Sequence, residues 1–206
     1  MAPALEAELV MGEALYRKVV LERIAKARES VLISTANVKA MMVELEGRFR
    51  PVADLFAVLA RKGVVVRVLH AELPSRPFRA AFDKHVALMD KLSLKICPRV
   101  HFKAVLVDGA WLYLGSANLT GAGLGAKHAD SRNFEVGFIT EDFDTIDAVS
   151  ALFEGVWSGG ACRTCRLYEL CPDPIGPGPA KRRGQARGSA GSEGIVLGRS
   201  RRLRLG

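Results

Sequence analysis

Apolar residues spaced three or four positions apart predict helices in four parts of the chain. The predicted buried faces of three of these helices are Tyr16, Val20, Ile24 and Ala27; Val52, Leu55, Phe56 and Leu59; and Ile146, Val149, Phe153 and Val156. A further helix is predicted over residues 78–92. Pro51 marks the start of the second helix, and Asp142 and Asp144 lie where the last one begins, since a helix N-terminus favours acidic residues.

Short apolar runs between these helices predict strands. They cover residues 31–38, 64–69, 94–97, 102–107 and 111–114, and another strand-like run follows at residues 132–138. Helices that alternate with strands are typical of an α/β fold. The pattern therefore predicts an α/β sandwich, in which helices flank a mixed β-sheet, and it shows no internal repeat.

The clearest local feature is a predicted hairpin with its turn at residues 108–110. Paired residues of two strands point to the same face, so a two-residue loop within this turn would gather four polar side chains. If the loop is residues 109 and 110, Lys103 lies opposite Ser116 and His101 lies opposite Asn118. If it is residues 108 and 109, the register moves by two and the face is kept. A three-residue loop with a bulge would break this inference.

An imidazole, an ammonium, a hydroxyl and a carboxamide on one patch have little role in packing, because lysine is rarely buried without a partner. Such a patch suits a phosphate ligand. Lys103 supplies positive charge, and Ser116 and Asn118 supply hydrogen-bond donors. His101 can attack phosphorus as a nucleophile. The alternative is a solvated polar end of the sheet that carries an incidental histidine.

Residues 101–118 match the pattern H-x-K-x4-D-x6-G-S-x-N, which resembles the signature of the phospholipase D superfamily. The resemblance covers roughly residues 13–158 and implies a phospholipase D-like sandwich that acts on a phosphodiester. The site residues that it implies are His101, Lys103, Asp108, Ser116 and Asn118. Of these, Asp108 is expected to have a structural, hydrogen-bonding role near the site. Glu135 resembles the carboxylate that orients the histidine in this family, and its alternative is an exposed strand glutamate without a partner.

The motif occurs once, because the other histidines lack the pattern. Single-motif members of the superfamily join as homodimers, so the resemblance implies a site in which His101 pairs with the partner's His101. One histidine would form a covalent phosphohistidine while the other protonates the leaving oxygen. Lys103, Ser116 and Asn118 would stabilise the charge on the phosphate, so no catalytic divalent metal is expected.

The four cysteines form a second candidate site. Cys162, Cys165 and Cys171 follow the pattern C-x2-C-x5-C, and Cys97 lies far upstream, four residues before His101. This arrangement resembles the iron–sulfur clasp of RecB-type nucleases, although the resemblance is limited to these four residues. It implies a structural [4Fe-4S] cluster, with a structural zinc ion or unligated or disulfide-paired thiols as alternatives.

Net charge is unevenly distributed along the 206 residues. The whole chain carries +8, and residues 172–206 account for +6 of it, with eight Lys and Arg against two acidic residues. This part is rich in Gly and Pro without periodicity, so a disordered basic tail is predicted, which serves either to bind polyanions or to keep the chain in solution. The expected domains are a catalytic domain at 1–158, a cysteine-rich metal-binding segment at 159–174 and the tail at 175–206.

The lengths of the apolar runs and the N-terminal residues restrict the possible functions. No apolar run approaches the roughly 18 residues of a membrane span, and the N-terminus does not have the features of a signal peptide, so no membrane insertion and a cytoplasmic location are expected. The combined features predict a metal-independent endonuclease acting on nucleic acid. The alternatives are a phospholipid hydrolase or phosphatidyltransferase, and a nucleic-acid-binding module without activity.

Overall fold

A seven-stranded mixed sheet lies at the centre of the computed structural model, which describes residues 5–179. Its strands are β1 (Glu8–Met11), β2 (Ser30–Thr35), β5 (Val65–His70), β6 (Leu92–Ile96), β7 (Lys103–Val107), β8 (Trp111–Gly115) and β9 (Val136–Thr140), and a separate hairpin contains β3 (Met42–Leu45) and β4 (Arg48–Pro51). The order across the sheet is β1-β9-β8-β7-β2-β5-β6. Neighbouring strands are parallel in the β2, β5 and β6 part and antiparallel elsewhere.

Helices cover both faces of this sheet. The α-helices are α1 (Glu13–Leu15), which continues as a π-helix over Tyr16–Leu21, α2 (Val52–Arg61), α3 (Arg76–Phe82) and α4 (Phe143–Trp157). Residues of the first three pack with one face of the sheet in the main hydrophobic core. Helix α4 packs on the other face, where Ile146 and Phe153 contribute to two smaller clusters. The predicted α/β sandwich with a mixed sheet is confirmed.

Two of the predicted helices need correction, and three strands were not predicted. The first helix contains a π-helical stretch, and the helix predicted over 78–92 consists of α3 and a short 3-10 stretch at Asp83–Leu88, because His85 leaves helical dihedral angles (φ −116°, ψ 17°). Leu92 already belongs to β6. Strand β1 and the β3–β4 hairpin were not predicted, because in each of them only one residue is buried and the apolar pattern is weak.

One end of the sheet gathers the ends of all seven strands. Strands β1, β2, β5, β6 and β8 finish there, and β7 and β9 begin there, as the pairs Met11↔Val136, Thr35↔His70, His70↔Ile96 and Lys103↔Gly115 show. This end, called the motif end below, therefore carries the first residues of β7 and the residues that follow β8. No helix in the described part of the chain combines the length and apolar character needed to cross a bilayer.

Candidate active site at the motif end of the sheet

The β7–β8 hairpin has a three-residue loop. Val107 pairs with Trp111 and Lys103 with Gly115, so neither of the two-residue loops expected from the sequence is formed. Asp108 and Gly109 take left-handed backbone conformations, with φ of 54° and 64°. The register differs by one residue from that expected with the later loop. Ser116 consequently lies beyond the end of β8, and strand alternation does not place it beside Lys103.

Asp108 lies at the opposite end of β7 from the motif end. Its carboxylate accepts hydrogen bonds of 2.8–3.1 Å from the backbone N–H groups of Arg28, Glu29 and Ser30, which precede and begin β2. Partial burial raises the pKa of this carboxyl. The hydrogen bonds from the three N–H groups lower it by more, so the pKa lies below its ordinary value. The predicted hydrogen-bonding role agrees with these contacts. Its expected position near the site is wrong, because Asp108 is five positions along the chain from Lys103, which is about 16 Å in an extended strand.

Lys103 is the first residue of β7 at the motif end, and His101 lies two residues before it. His101 is exposed, and its ring forms no hydrogen bond with any residue between 5 and 179. Lys103 is half-buried, and its Nζ donates to the backbone carbonyl of His101 at 2.7 Å. Val100, just before His101, is buried in the same cluster as Phe153 of α4. The burial of Val100 thus fixes the residues just before β7, and the His101 imidazole faces solvent.

Ser116 and Glu135 face each other across the ends of β8 and β9. The Ser116 hydroxyl donates to Glu135 and accepts from the backbone N–H of Val136 at 3.1 Å. Asn133 Nδ2 donates to the other carboxylate oxygen of Glu135 at 3.0 Å. Glu135 is therefore not the unpartnered strand glutamate of the alternative. No hydrogen bond joins it to His101 in the described chain, so its histidine-orienting role stays a prediction.

The carboxamide of Asn118 fixes the loop after β2. Its Oδ1 accepts from the backbone N–H groups of Ala36 at 3.1 Å and Asn37 at 3.2 Å, and the Thr35 hydroxyl lies 3.1 Å away. The same hydroxyl accepts from the N–H of Leu119 at 3.0 Å. The amino group of Asn118 is the half of the carboxamide that remains for a ligand. Thr35 was missed, and the only signal for it was the polar pair Ser34 and Thr35 after the apolar residues 31–33.

Tyr113 supports the site from beneath. The side chain is fully buried, and its hydroxyl accepts from the backbone N–H of Ala117 at 3.3 Å. Burial, together with the negative charge of Glu135, raises the pKa of Tyr113 to about 12. A Cβ at Gly115 would lie 2.6 Å from Tyr113 Cζ, and one at Gly137 would lie 2.9 Å from the same atom. The glycine of the motif therefore gives the tyrosine ring its space, which sequence reasoning did not detect.

Known proteins can be compared with this geometry. A family model described as "Cardiolipin synthase, PLD-like domain" matches residues 20–157. The chain belongs to this PLD-like family. The match includes every residue of the 101–118 motif and Glu135, and it ends before the last three cysteines. No curated protein matches the chain at the sequence level.

Solved structures share the fold of this PLD-like domain at low sequence identity. Nuc from Salmonella typhimurium, a phospholipase D family member, is 19% identical, with a TM-score of 0.52 over 74% of this chain and 95% of Nuc. NucT from Helicobacter pylori is 17% identical, with a TM-score of 0.52 over 75% of this chain and 96% of NucT. TrmBL2, an archaeal chromatin protein, is 14% identical, with a TM-score of 0.50 over 76% of this chain and 54% of TrmBL2.

The four cysteines are also brought together. Cys97, Cys162, Cys165 and Cys171 line a single cavity beside the motif end, and all four are free thiols. Burial raises the pKa of the Cys97 thiol, and the nearby Cys171 and Cys162 add to the effect. Within residues 5–179, no three His, Cys, Asp or Glu side chains are already grouped as ligands of a metal ion. Residues 180–206, which hold most of the expected basic tail, lie outside the described residues.

Proposed function

We propose that this PLD-like domain is a metal-independent phosphodiesterase, an endonuclease that works as a homodimer through a phosphohistidine intermediate. The observation that carries the proposal is the composition of the motif end. It combines an exposed imidazole, an ammonium, a hydroxyl and a carboxamide on the ends of adjacent strands. Such a set can bind and attack a phosphodiester without a metal ion.

The chemistry requires two histidines that exchange roles. An unprotonated ring nitrogen of His101 attacks phosphorus, and the P–N bond forms as the bond to the leaving oxygen breaks. The partner's His101 gives its proton to that oxygen. Water then attacks phosphorus, the P–N bond breaks, and the partner's His101 takes the proton of the water. Each turnover thus returns both imidazoles to their starting protonation states.

Lys103, Ser116 and Asn118 have separate roles in binding the phosphate. Lys103 Nζ has three N–H donors, so it can keep its bond to the His101 carbonyl and still bind a non-bridging oxygen. The amino group of Asn118 can donate as it stands. The Ser116 hydroxyl has one proton, which Glu135 holds, so it can donate to a phosphate only after releasing that carboxylate. Glu135 would therefore control the availability of Ser116 as well as the orientation of His101.

An uncovered apolar face beside the motif end supports the homodimer. In the β1–β9 pair, Leu9 lies opposite Phe138 and Met11 lies opposite Val136, so all four side chains point to one face. Each is about half exposed in the single chain. Val136 adjoins Ser116 and Glu135. A second copy on this face would bury the apolar side chains and lie next to the site that needs a second histidine.

Nucleic acid is the substrate that charge and the structural relatives favour. The chain carries a net charge of +8, which attracts polyanions. Among proteins of the same fold, TrmBL2 is described as a chromatin protein with a novel mode of DNA binding. The description of the family model as a cardiolipin synthase domain favours phospholipid as the second candidate substrate. In that case the same phosphohistidine would form on a lipid phosphodiester.

A substrate panel tests the proposal. The full chain is incubated in EDTA with labelled single-stranded DNA, double-stranded DNA, RNA, and vesicles of phosphatidylglycerol and phosphatidylcholine. We expect cleavage of nucleic acid, its loss in His101→Ala and its retention in His128→Ala, the matched change at another exposed histidine. Turnover of lipid alone would replace the nuclease by the second candidate. Binding of nucleic acid without any turnover, or strict dependence on Mg²⁺, would overturn the proposal.

The shared site has its own test. Wild type carrying one affinity tag is co-expressed with His101→Ala carrying another, and the mixed dimers are isolated by both tags. We expect these dimers to have far less than half of the wild-type activity, because one subunit lacks the second imidazole of the same site. Activity at half the wild-type value, or full activity in a verified monomer, would show that each chain works alone.

A further inference from the structure

The segment after α4 is held to the sheet without a hydrophobic core of its own. Residues 159–179 include two short 3-10 helices, Cys162–Thr164 and Tyr168–Leu170, and no residue of this segment is buried. Leu170 is 79% exposed. A short stretch of chain without buried apolar residues usually needs a covalent or metal cross-link to keep one structure.

The inward-facing positions of this segment recur every three residues. Cys162, Cys165, Tyr168 and Cys171 are half-buried, and the residues between them are exposed. The two short 3-10 helices end at Cys165 and Cys171, which take extended conformations. The common orientation of the three thiols therefore rests on the burial pattern and on the cavity that they share. The three thiols of the segment consequently face the sheet together, and the arginines between them face solvent.

Cys97 faces these thiols from the sheet. It directly follows β6, where its backbone N–H donates to the His70 carbonyl at 2.8 Å. Cys171 Sγ lies 3.9 Å from the Ile96 carbonyl, and Asp173 accepts from the Ile96 N–H at 3.3 Å. All four cysteines of the chain thus line one cavity between β6 and the C-terminal segment. The burial pattern of the segment singles out Cys162, Cys165 and Cys171, and the shared cavity adds Cys97 to this set.

We propose that Cys97, Cys162, Cys165 and Cys171 together bind one metal centre through four thiolates, and that this centre clasps the C-terminal segment to the end of β6. A tetrahedral zinc ion and a [4Fe-4S] cluster both take four such ligands. The thiols are unpaired and half-buried. Since no three of them are grouped as metal ligands within residues 5–179, the proposal requires the four thiols to converge as the metal binds. Metal binding would then supply the cross-link that the segment does not obtain from packing.

The position of Cys97 gives the clasp a consequence for the candidate active site. The backbone N–H of Val100 donates to the Cys97 carbonyl at 2.9 Å, and this turn leads directly to His101. A metal centre at Cys97 would fix the start of that turn while α4 holds Val100. The clasp would thereby help to position His101, although the metal site does not depend on what the active site cleaves.

Metal analysis of the wild-type chain is the first test. The full chain is purified without oxygen and without added metal, and its zinc, iron and acid-labile sulfide contents and its absorption spectrum are measured. About one zinc per chain, or about four irons with four sulfides and a brown colour, would each support the proposal. Metal-free protein with four titratable thiols would overturn it, and so would protein whose cysteines are paired as disulfides.

Variants and proteolysis test the clasp itself. Cys97→Ser and Cys165→Ser should lose most of the metal, whereas Thr164→Ser, a change on the exposed side of the same turn, should keep it. Trypsin can cut after Arg163 or Arg166, and removal of the metal from wild type should accelerate this cleavage at least about tenfold. Metal retained in Cys97→Ser, or cleavage at an unchanged rate, would show that no clasp joins the segment to the sheet.

Discussion

The two ends of β7 carry polar residues of one motif in opposite physical states. At one end, the Asp108 carboxylate is saturated by the backbone N–H groups of three successive residues. At the motif end, the His101 ring has no hydrogen-bond partner in residues 5–179, and Lys103 bonds only to the carbonyl of His101. A side chain whose bonding capacity is filled by backbone serves the fold, and one whose capacity is left open can serve a ligand. The motif therefore combines a residue bound by the backbone with residues that are free to bind a ligand.

The largest expected effect is on activity, from a change of His101 at the motif end. His101→Ala should lower kcat/KM by at least about 10³-fold, because it removes both the nucleophile and the proton donor. Its free energy of unfolding should stay within about 0.5 kcal/mol of wild type, since the side chain is exposed and unbonded. Urea denaturation and steady-state kinetics on one preparation measure both. A large loss of stability in this variant would erase the contrast between the two ends.

The packing of Tyr113 against Gly115 near the motif end should make stability sensitive to a single added methyl group. Gly115→Ala forces a Cβ against the ring of buried Tyr113, and should cost about 2–3 kcal/mol of unfolding free energy. Gly155→Ala is the matched control, because no atom lies within 4 Å of its added Cβ and alanine favours the interior of α4. The control should raise stability by up to about 1 kcal/mol. Equal effects of the two changes would refute the close packing at Gly115.

Removing the charge of Asp108, at the end of β7 opposite the motif end, should lower the stability of the fold. Asp108→Asn should cost about 1–2 kcal/mol in urea denaturation at pH 7, and the folded variant should keep wild-type kcat/KM. The folded pKa of Asp108 lies below the unfolded value near 3.8, so its contribution is complete above that value. As pH falls from about 4 through the lowered pKa, this contribution is lost, and the two stability curves should converge. A constant difference down to pH 2 would contradict this linkage.

The same contrast explains what the sequence could and could not predict. Spacing singled out His101, Lys103, Ser116 and Asn118 as candidates, because a motif records residue types in a fixed order, and the structure places all four at one end of the sheet. Spacing could not give the register, because Asp108 and Gly109 both accept positive φ and a three-residue loop is as compatible with the pattern as a two-residue one. Thr35 and Tyr113 were missed because their roles arise from neighbouring strands. The sandwich was predictable because buried helices and strands have regular apolar periods, whereas the half-exposed edge β1 does not.

The smallest expected effect separates two carboxylates, Glu135 and Asp108. The bonds of Glu135 come from the side chains of Ser116 and Asn133 rather than from backbone, so it should be replaceable in the fold. Glu135→Gln keeps the shape and removes the charge. It should change the unfolding free energy by less than about 0.5 kcal/mol and lower kcat about tenfold with little change in KM, because an orienting charge acts in the transition state. Unchanged kcat with reduced stability would assign Glu135 to the fold, as with Asp108.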